Sequence, residues 1–120
     1  AAGKLTNIIL TRSDVVKEKP KELEATVRAV VKVDEFIAAD KGALIDVISK
    51  VTGLDKAIAT GAVDNLDPDP KMYRASAVAI AAMMRDLKYI NSDVSAAVEK
   101  NMNYSFLEAA TGKPKTELGY

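Results

Sequence analysis

The segment from Pro70 to Tyr89 constrains the fold most, because as a helix it is apolar around nearly its whole circumference. Only a narrow polar strip interrupts the apolar surface, formed by Arg74, Ala81, Arg85 and Lys88. The apolar positions are Met72, Ala75, Val78, Ala79, Ile80, Ala82, Met83, Met84 and Leu87. A helix of this kind is usually central in a fold. The sequence therefore predicts a helical core in which other elements cover this helix.

A local signal places the start of this helix at Pro70. Asp69 is a typical N-cap residue, and proline is favoured at the first helical position. The preceding stretch "DNLDPDP" is rich in acidic and amide side chains, as calcium loops are. It lacks the central glycine and the closing glutamate of such a loop, so we predict a helix start here and no calcium site.

A second long helix is predicted from Pro20 to Ala39. Its apolar residues share one broad arc: Leu23, Val27, Val30, Val31, Val33 and Ile37. Asp34 lies within this arc, either as a boundary acid with a cationic or backbone partner or as part of a polar cavity. Asp86 lies beside the apolar face of the later helix in a similar way, and the sequence leaves the roles of both acids open.

Two shorter elements should lie between the long helices. Asp40 can cap a helix that runs to Val51, and Gly53 is positioned to end it in the left-handed conformation. Asp55 can open a shorter turn of helix that Gly61 ends. Both helices should be amphipathic and pack through one apolar stripe.

The last part of the chain predicts two further helices. Asn91-Ser92 can cap a helix that runs to Asn101. A short helix should follow from Tyr104 to Ala110, closed by Gly112 and Pro114. A short helix stays folded only when large side chains dock it, so we expect Tyr104, Phe106 and Leu107 to anchor the end of the chain. The count is then five or six helices.

The stretch "LTNIILT", from Leu5 to Thr11, is the one convincing strand signal, because it is aliphatic and β-branched without a helical period. The predicted fold is therefore mainly α: a compact multi-helix domain over residues 1–120 with one short N-terminal strand. The length of 120 residues suits a single domain.

Composition argues against an enzyme. The chain has no cysteine and no histidine, so thiolate chemistry, the commonest general base and the commonest metal ligand are all missing. "AAGKLT" lacks the upstream glycine and the Ser/Thr directly after lysine of a phosphate-binding loop. We predict no catalytic residue, no metal ligand and no cofactor, and the sequence assigns no ligand-binding residue.

Charge argues against nucleic acid as a partner. Basic and acidic residues are equal at 17 each and are not clustered. The longest apolar run, Ala75 to Met84, is also shorter than the ~20 residues of a membrane span.

The order of elements resembles the C-terminal portion of ABC-transporter solute-binding proteins of the nitrate, sulfonate, taurine and thiamine-precursor type. The resemblance covers essentially the whole chain through "NIILTRSD", "VVKEKPKELEATVRAVVKVDEFIAADK", "MMRDLKYINSDV" and "VEKNMNYSFLEAA". The matching positions are Arg12, Asp14, Pro20, Ala29, Phe36, Leu87, Tyr89, Ile90, Val94, Tyr104, Phe106, Leu107 and Ala110. The sequence departs from the family pattern at two positions: Lys19 replaces the usual asparagine before Pro20, and Lys88 stands where a glycine normally ends the helix.

The resemblance implies a part of a two-lobe, periplasmic or extracytoplasmic binding protein that captures a small molecule and delivers it to a membrane permease. The ligand cleft would then lie largely in a portion that this chain does not include. The Tyr104 to Ala110 helix would fasten the end of the polypeptide. No binding residue is carried over, because the matching positions are core and capping residues.

A second interpretation stays open, in which the chain is an independent helical module that binds another protein through an exposed apolar helix face. In either case the two long helices present more apolar surface than their short neighbours can cover. We therefore expect this chain to form a homodimer or a higher oligomer.

Overall fold

The structure is a computed structural model that describes residues 8–120, and the prediction of a mainly helical fold is confirmed there. The described residues contain seven α-helices and one short 3₁₀ helix, rather than five or six helices. Their bounds are α1 Ser13–Glu18, α2 Pro20–Ala39, α3 Lys41–Thr52, α4 Lys56–Asp64, α5 Arg74–Asp86, α6 Ser95–Asn101, α7 Ser105–Thr111 and the 3₁₀ helix Lys115–Glu117.

The predicted strand from Leu5 to Thr11 is not confirmed. Its first three residues lie outside the described part of the chain. Residues 8–11 form neither helix nor strand, and the side chains of Ile8, Ile9 and Leu10 are exposed.

The described chain divides into two compact units. The first combines residues 8–28 with Lys71–Tyr120, and the second is Ala29–Pro70. Helix α2 begins in the first unit and ends in the second.

The second unit is built on the pairing of α3 with α4. Ala59 and Val63 lie four residues apart on one face of α4, and neither is accessible to solvent. Val31 of α2 is also buried. An exposed ion pair joins the Lys56 Nζ atom of α4 to Asp46 Oδ1 of α3 at 2.6 Å. Small and β-branched side chains therefore form the interior of this unit.

Side-chain caps fix the start of both helices of this pair. The carboxylate of Asp40 accepts a hydrogen bond from the Ala43 backbone N–H at 3.0 Å, and that of Asp55 accepts one from Ala57 at 2.7 Å. Gly53 ends α3 with a φ of +75°, as predicted. Gly61 was predicted to end α4, but this is wrong, because α4 continues to Asp64. Glycine lowers helix propensity by about 1 kcal/mol, which tertiary packing can overcome.

The first unit has its core near the end of the chain. Its buried side chains are Ala81, Tyr104, Leu107 and Leu118. Helices α5 and α6 pack together, and α7 contacts the 3₁₀ helix. The Arg28 side chain of α2 reaches the Ala109 carbonyl of α7 at 3.5 Å. Tyr104 and Leu107 are anchors as predicted, whereas Phe106 is only half-buried.

The predicted bounds of α5 are wrong at both ends. The helix begins at Arg74 rather than Pro70 and ends at Asp86 rather than Tyr89. The residue before the first turn is Tyr73, whose side chain makes no capping hydrogen bond. The start of α5 is therefore set by contacts that the local sequence does not contain.

Helix α5 is also less central than its composition indicates. Ala81, assigned to the polar strip, is the one buried residue of this helix. Met83, Met84 and Leu87 are exposed, with between 39% and 60% of each side chain accessible. Helix α6 is the one helix of the described residues that packs closely on α5, which leaves these apolar side chains partly exposed.

The predicted cap of α6 is displaced. The helix starts at Ser95, and the carboxylate of Asp93 accepts from the Ser95 N–H at 2.9 Å. Asn91 and Ser92 lie in the preceding bend. The prediction of a cap at Asn91-Ser92 is therefore wrong, because the side-chain acceptor at the start of α6 is Asp93.

Candidate functional site

An open apolar groove lies in the first unit, between α5, α6 and the segment that precedes α1. Its volume is about 370 Å³. The lining residues are Ile8, Ala77, Ile80, Ala81, Met84, Ile90, Val94 and Val98. All eight are aliphatic or thioether side chains, so the groove can hold an apolar group but offers no side-chain charge or hydrogen bond to orient a polar ligand.

Two small residues shape the floor of the groove. Ala77 and Ala81 lie four residues apart and therefore on the same face of α5. Their short side chains leave open space in the groove. The larger side chains of Ile80 and Met84 also line this space. The high alanine content of α5 thus creates a concave surface.

A charged cluster lies on the adjoining ends of α5 and α6. The guanidinium of Arg85 contacts Asp86 Oδ1 at 2.8 Å and Asp93 Oδ2 at 3.1 Å. Hydrogen bonds from Ser95 hold the pKa of Asp93 below its usual range, and the Asp86 carboxylate raises the pKa of Arg85. Asp86 therefore has a cationic partner in Arg85.

The end of α5 has the backbone conformation that glycine favours. Tyr89 donates to the Met84 carbonyl and Lys88 to the Arg85 carbonyl, each at 2.9 Å, which is the Schellman arrangement. Lys88 takes the left-handed position with a φ of +62°. Among the described residues it is the one non-glycine residue with positive φ. This turn directs Ile90 toward the groove.

The C-terminal residues form a second cluster, which we call the tail clamp: Leu118, Gly119 and Tyr120 docked on Met72, Arg74 and Tyr104. The Met72 N–H donates to the Leu118 carbonyl at 2.9 Å, and the Arg74 N–H to the Gly119 carbonyl at 2.8 Å. The Tyr104 hydroxyl donates to the Met72 carbonyl and lies 3.3 Å from that of Gly119.

Two cations flank the ring of Tyr120 in the tail clamp. The Arg74 Cζ atom lies 4.3 Å from the ring centroid and the Lys115 Nζ atom 3.7 Å from it. The Tyr104 and Tyr120 rings make an edge-to-face contact at 5.5 Å. Cation–π contacts of this kind contribute about 0.5–1 kcal/mol each at exposed sites. Sequence reasoning missed this cluster, although a leucine and a tyrosine around Gly119 were its signal.

No group of three or more acidic side chains among the described residues could hold a metal ion. Asp34 is half-buried in the second unit, where burial and then the nearby Asp69 raise the pKa of its carboxyl. The carboxyl of Asp34 therefore lies near a second acid, Asp69. The "AAGKLT" segment lies outside the described residues.

The residues that carried the family resemblance are dispersed over the described chain. Arg12 pairs with Asp14 at the start of α1, Ile90 and Val94 line the groove, and Tyr104 belongs to the tail clamp. Phe36 and Leu87 are exposed. The described structure does not bring these positions together in one site.

Comparison with known proteins identifies no relative. The chain matches neither a family model, nor a curated protein, nor a solved structure. In the part of the chain that the structure describes, each helix is too short or too polar to cross a membrane.

Proposed function

We propose that this chain performs no chemistry and is the helical part of a solute-binding protein of an ABC importer. Its own contribution is a docking surface, the apolar groove of α5 and α6, which another part of the binding protein covers. The ligand, a small molecule such as a sulfonate, nitrate, taurine or a thiamine precursor, would be held mainly elsewhere in that protein.

The backbone at Lys88 is the observation that supports this proposal best. The family resemblance places a glycine there, and a φ of +62° is the conformation for which glycine is selected. A lysine pays a steric cost of about 1–2 kcal/mol in that conformation. The backbone at this helix end therefore has the geometry of the family pattern, although the residue departs from it, and this supports the proposal. The groove supports the proposal independently, since an aliphatic surface open to water needs a cover.

The test of this proposal is ligand titration of two samples. We expect calorimetry on residues 1–120 to give no affinity better than millimolar for sulfonates, nitrate, taurine or thiamine precursors. The full translation product of the natural transcript that encodes these residues should bind one of them at micromolar concentration. A micromolar isotherm with residues 1–120 alone, or none with the full product, would overturn the proposal.

A second candidate function is an independent interaction module that binds a second copy of itself. The exposure of Ile8, Ile9 and Leu10 beside the groove favours it, since these residues add apolar surface to the same region. Light scattering during size-exclusion chromatography should then show a homodimer or higher oligomer at low micromolar concentration.

A matched pair of variants locates that interface. Met84→Asp places a charge in the groove, whereas Val47→Asp places one on an exposed apolar residue of the second unit. We expect Met84→Asp to give monomers and Val47→Asp to leave the oligomer intact. A monomeric unmodified chain would exclude self-association and would also count against the binding-protein proposal, which leaves the same apolar surface uncovered in this chain.

A further inference from the structure

We propose that α5 has two alternative starting points and that the C-terminal tail selects between them. With the tail clamp docked, α5 begins at Arg74. With the tail released, α5 begins at Pro70, about one turn earlier. This inference rests on backbone hydrogen bonds and does not depend on the proposed function.

The two starting points compete for the same backbone donors. In the docked state the N–H of Met72 donates to Leu118 and that of Arg74 to Gly119. In a helix that began at Pro70, the N–H of Arg74 would donate to the Pro70 carbonyl, four residues earlier. Met72 would be the third residue of that helix. The carboxylate of Asp69, at the N-cap position, could accept a hydrogen bond from the N–H of Met72. Each N–H has one hydrogen, so the two arrangements exclude each other.

The local sequence favours the start that the docked state does not use. Asp69 and Pro70 form the combination of N-cap residue and first helical residue that begins many helices. This chain uses aspartate caps elsewhere, because Asp40 and Asp55 accept hydrogen bonds from the first turns of α3 and α4. Tyr73, which precedes α5 in the docked state, contributes no such bond. In the docked state the tail carbonyl groups therefore accept the hydrogen bonds of Met72 and Arg74.

Gly119 provides the means to release the tail. Its φ is +90°, and a Cβ atom built there would lie 3.1 Å from the Met72 carbonyl carbon and from the Tyr73 Cα atom. Both contacts are with backbone, which cannot move aside as a flexible side chain can. Docking therefore requires glycine at this position, and alanine should displace the tail.

The position of the competing segment gives the exchange a consequence. Pro70 is the last residue of the second unit and Lys71 resumes the first. Residues that change from irregular chain to helix shorten from about 3.3 Å to 1.5 Å of rise each. Release of the tail would thus shorten the backbone of residues 70–73.

The test is NMR assignment of the Gly119→Ala variant of the full chain. We expect the Cα chemical shifts of residues 70–73 to move to helical values, while those of α6 and α7 stay helical. Gly53→Ala is the matched control, because Gly53 also has a positive φ, +75°, but a Cβ there would meet nothing within 4 Å. The control should leave residues 70–73 unchanged.

Two more variants keep the test decisive if Gly119→Ala does not fold. Tyr104→Phe removes the hydroxyl that holds the tail and should populate the longer helix in part. Adding Asp69→Ala to either releasing variant should abolish the helical shifts at 70–73, because the competing cap is gone. Random-coil shifts at 70–73 after tail release, or helical shifts that persist without Asp69, would overturn the proposal.

Discussion

Helices α3 and α5 differ in what fixes their first turn, although the sequence offers both the same kind of start signal. The start of α3 follows the Asp40 cap, which contacts Ala43 three residues later. Helix α5 starts at Arg74 rather than at Pro70. The N–H groups of Met72 and Arg74 donate instead to carbonyl groups of the tail. A local cap decides a helix start where no distant acceptor competes for the same donors.

The largest effect that bears on this difference is expected from Leu118→Ala. Leu118 is 2% exposed and anchors the tail, so its truncation should lower the free energy of unfolding by about 3 kcal/mol. Amide exchange at Met72 and Arg74 should accelerate, while that at Ala43 and Ala57 should not. Equal acceleration at all four amides would show that α3, α4 and α5 open together and would remove the contrast.

Truncation of Phe106 should cost less. Phe106 is half-buried on α7, whereas its neighbour Leu107 is 4% exposed. We expect urea unfolding to give a loss of about 1.5 kcal/mol for Phe106→Ala and about 3 kcal/mol for Leu107→Ala. A larger loss for Phe106→Ala would restore it as the main anchor of α7.

Removal of the α3 cap is expected to cost about 1 kcal/mol. Asp40→Ala deletes the acceptor for the Ala43 N–H, and the first turn of α3 should fray. Asp40→Asn serves as the control, because asparagine also caps and should keep most of the stability. If Asp40→Ala leaves the urea midpoint unchanged, α3 is not fixed by its cap and resembles α5 in this respect.

The other end of α5 offers a stabilising change of about 0.5 kcal/mol. Lys88→Gly relieves the steric cost of positive φ, and the greater freedom of glycine in the unfolded chain offsets part of the gain. Lys88→Ala keeps the Cβ atom and should show no such gain. Thermal unfolding of the unmodified chain and the two variants gives the order of their stabilities. A Lys88→Gly variant less stable than the unmodified chain would contradict the prediction.

The smallest expected effect is on the pH dependence of stability. Burial raises the pKa of the Tyr104 hydroxyl in the folded chain above its usual range, so the folded state keeps this proton when the unfolded state has lost it. Stability from this group is therefore complete below the unfolded pKa of about 10 and is lost as pH rises toward the folded pKa. The range to measure is pH 9 to pH 11, about one unit either side of that value. Over this range the urea midpoint of Tyr104→Phe should fall less steeply than that of the unmodified chain. Parallel curves would refute this assignment.

The sequence predicted the elements of this fold well and their packing poorly. The bounds of α2, the caps of α3 and α4, and the left-handed glycines at the ends of α3 and α7 all follow from residues within a few positions of each helix end. The apolar surface of α5 was also readable from its composition. The groove was not, because it depends on α6 covering one side of α5 and leaving Ala77 and Ala81 at its floor.

The sequence by itself determined that this chain is helical, and where most helices begin and end, because capping and periodicity act over a few residues. Only the tertiary structure decided that Leu118 is buried, that Phe106 is not a main anchor, and that α5 begins at Arg74. The docking of Leu118 and the start of α5 depend on contacts between residues more than 40 positions apart, such as Met72 with Leu118. The physical reason is that a backbone N–H donates to the best available acceptor, and local sequence cannot reveal an acceptor that folding brings from a distance.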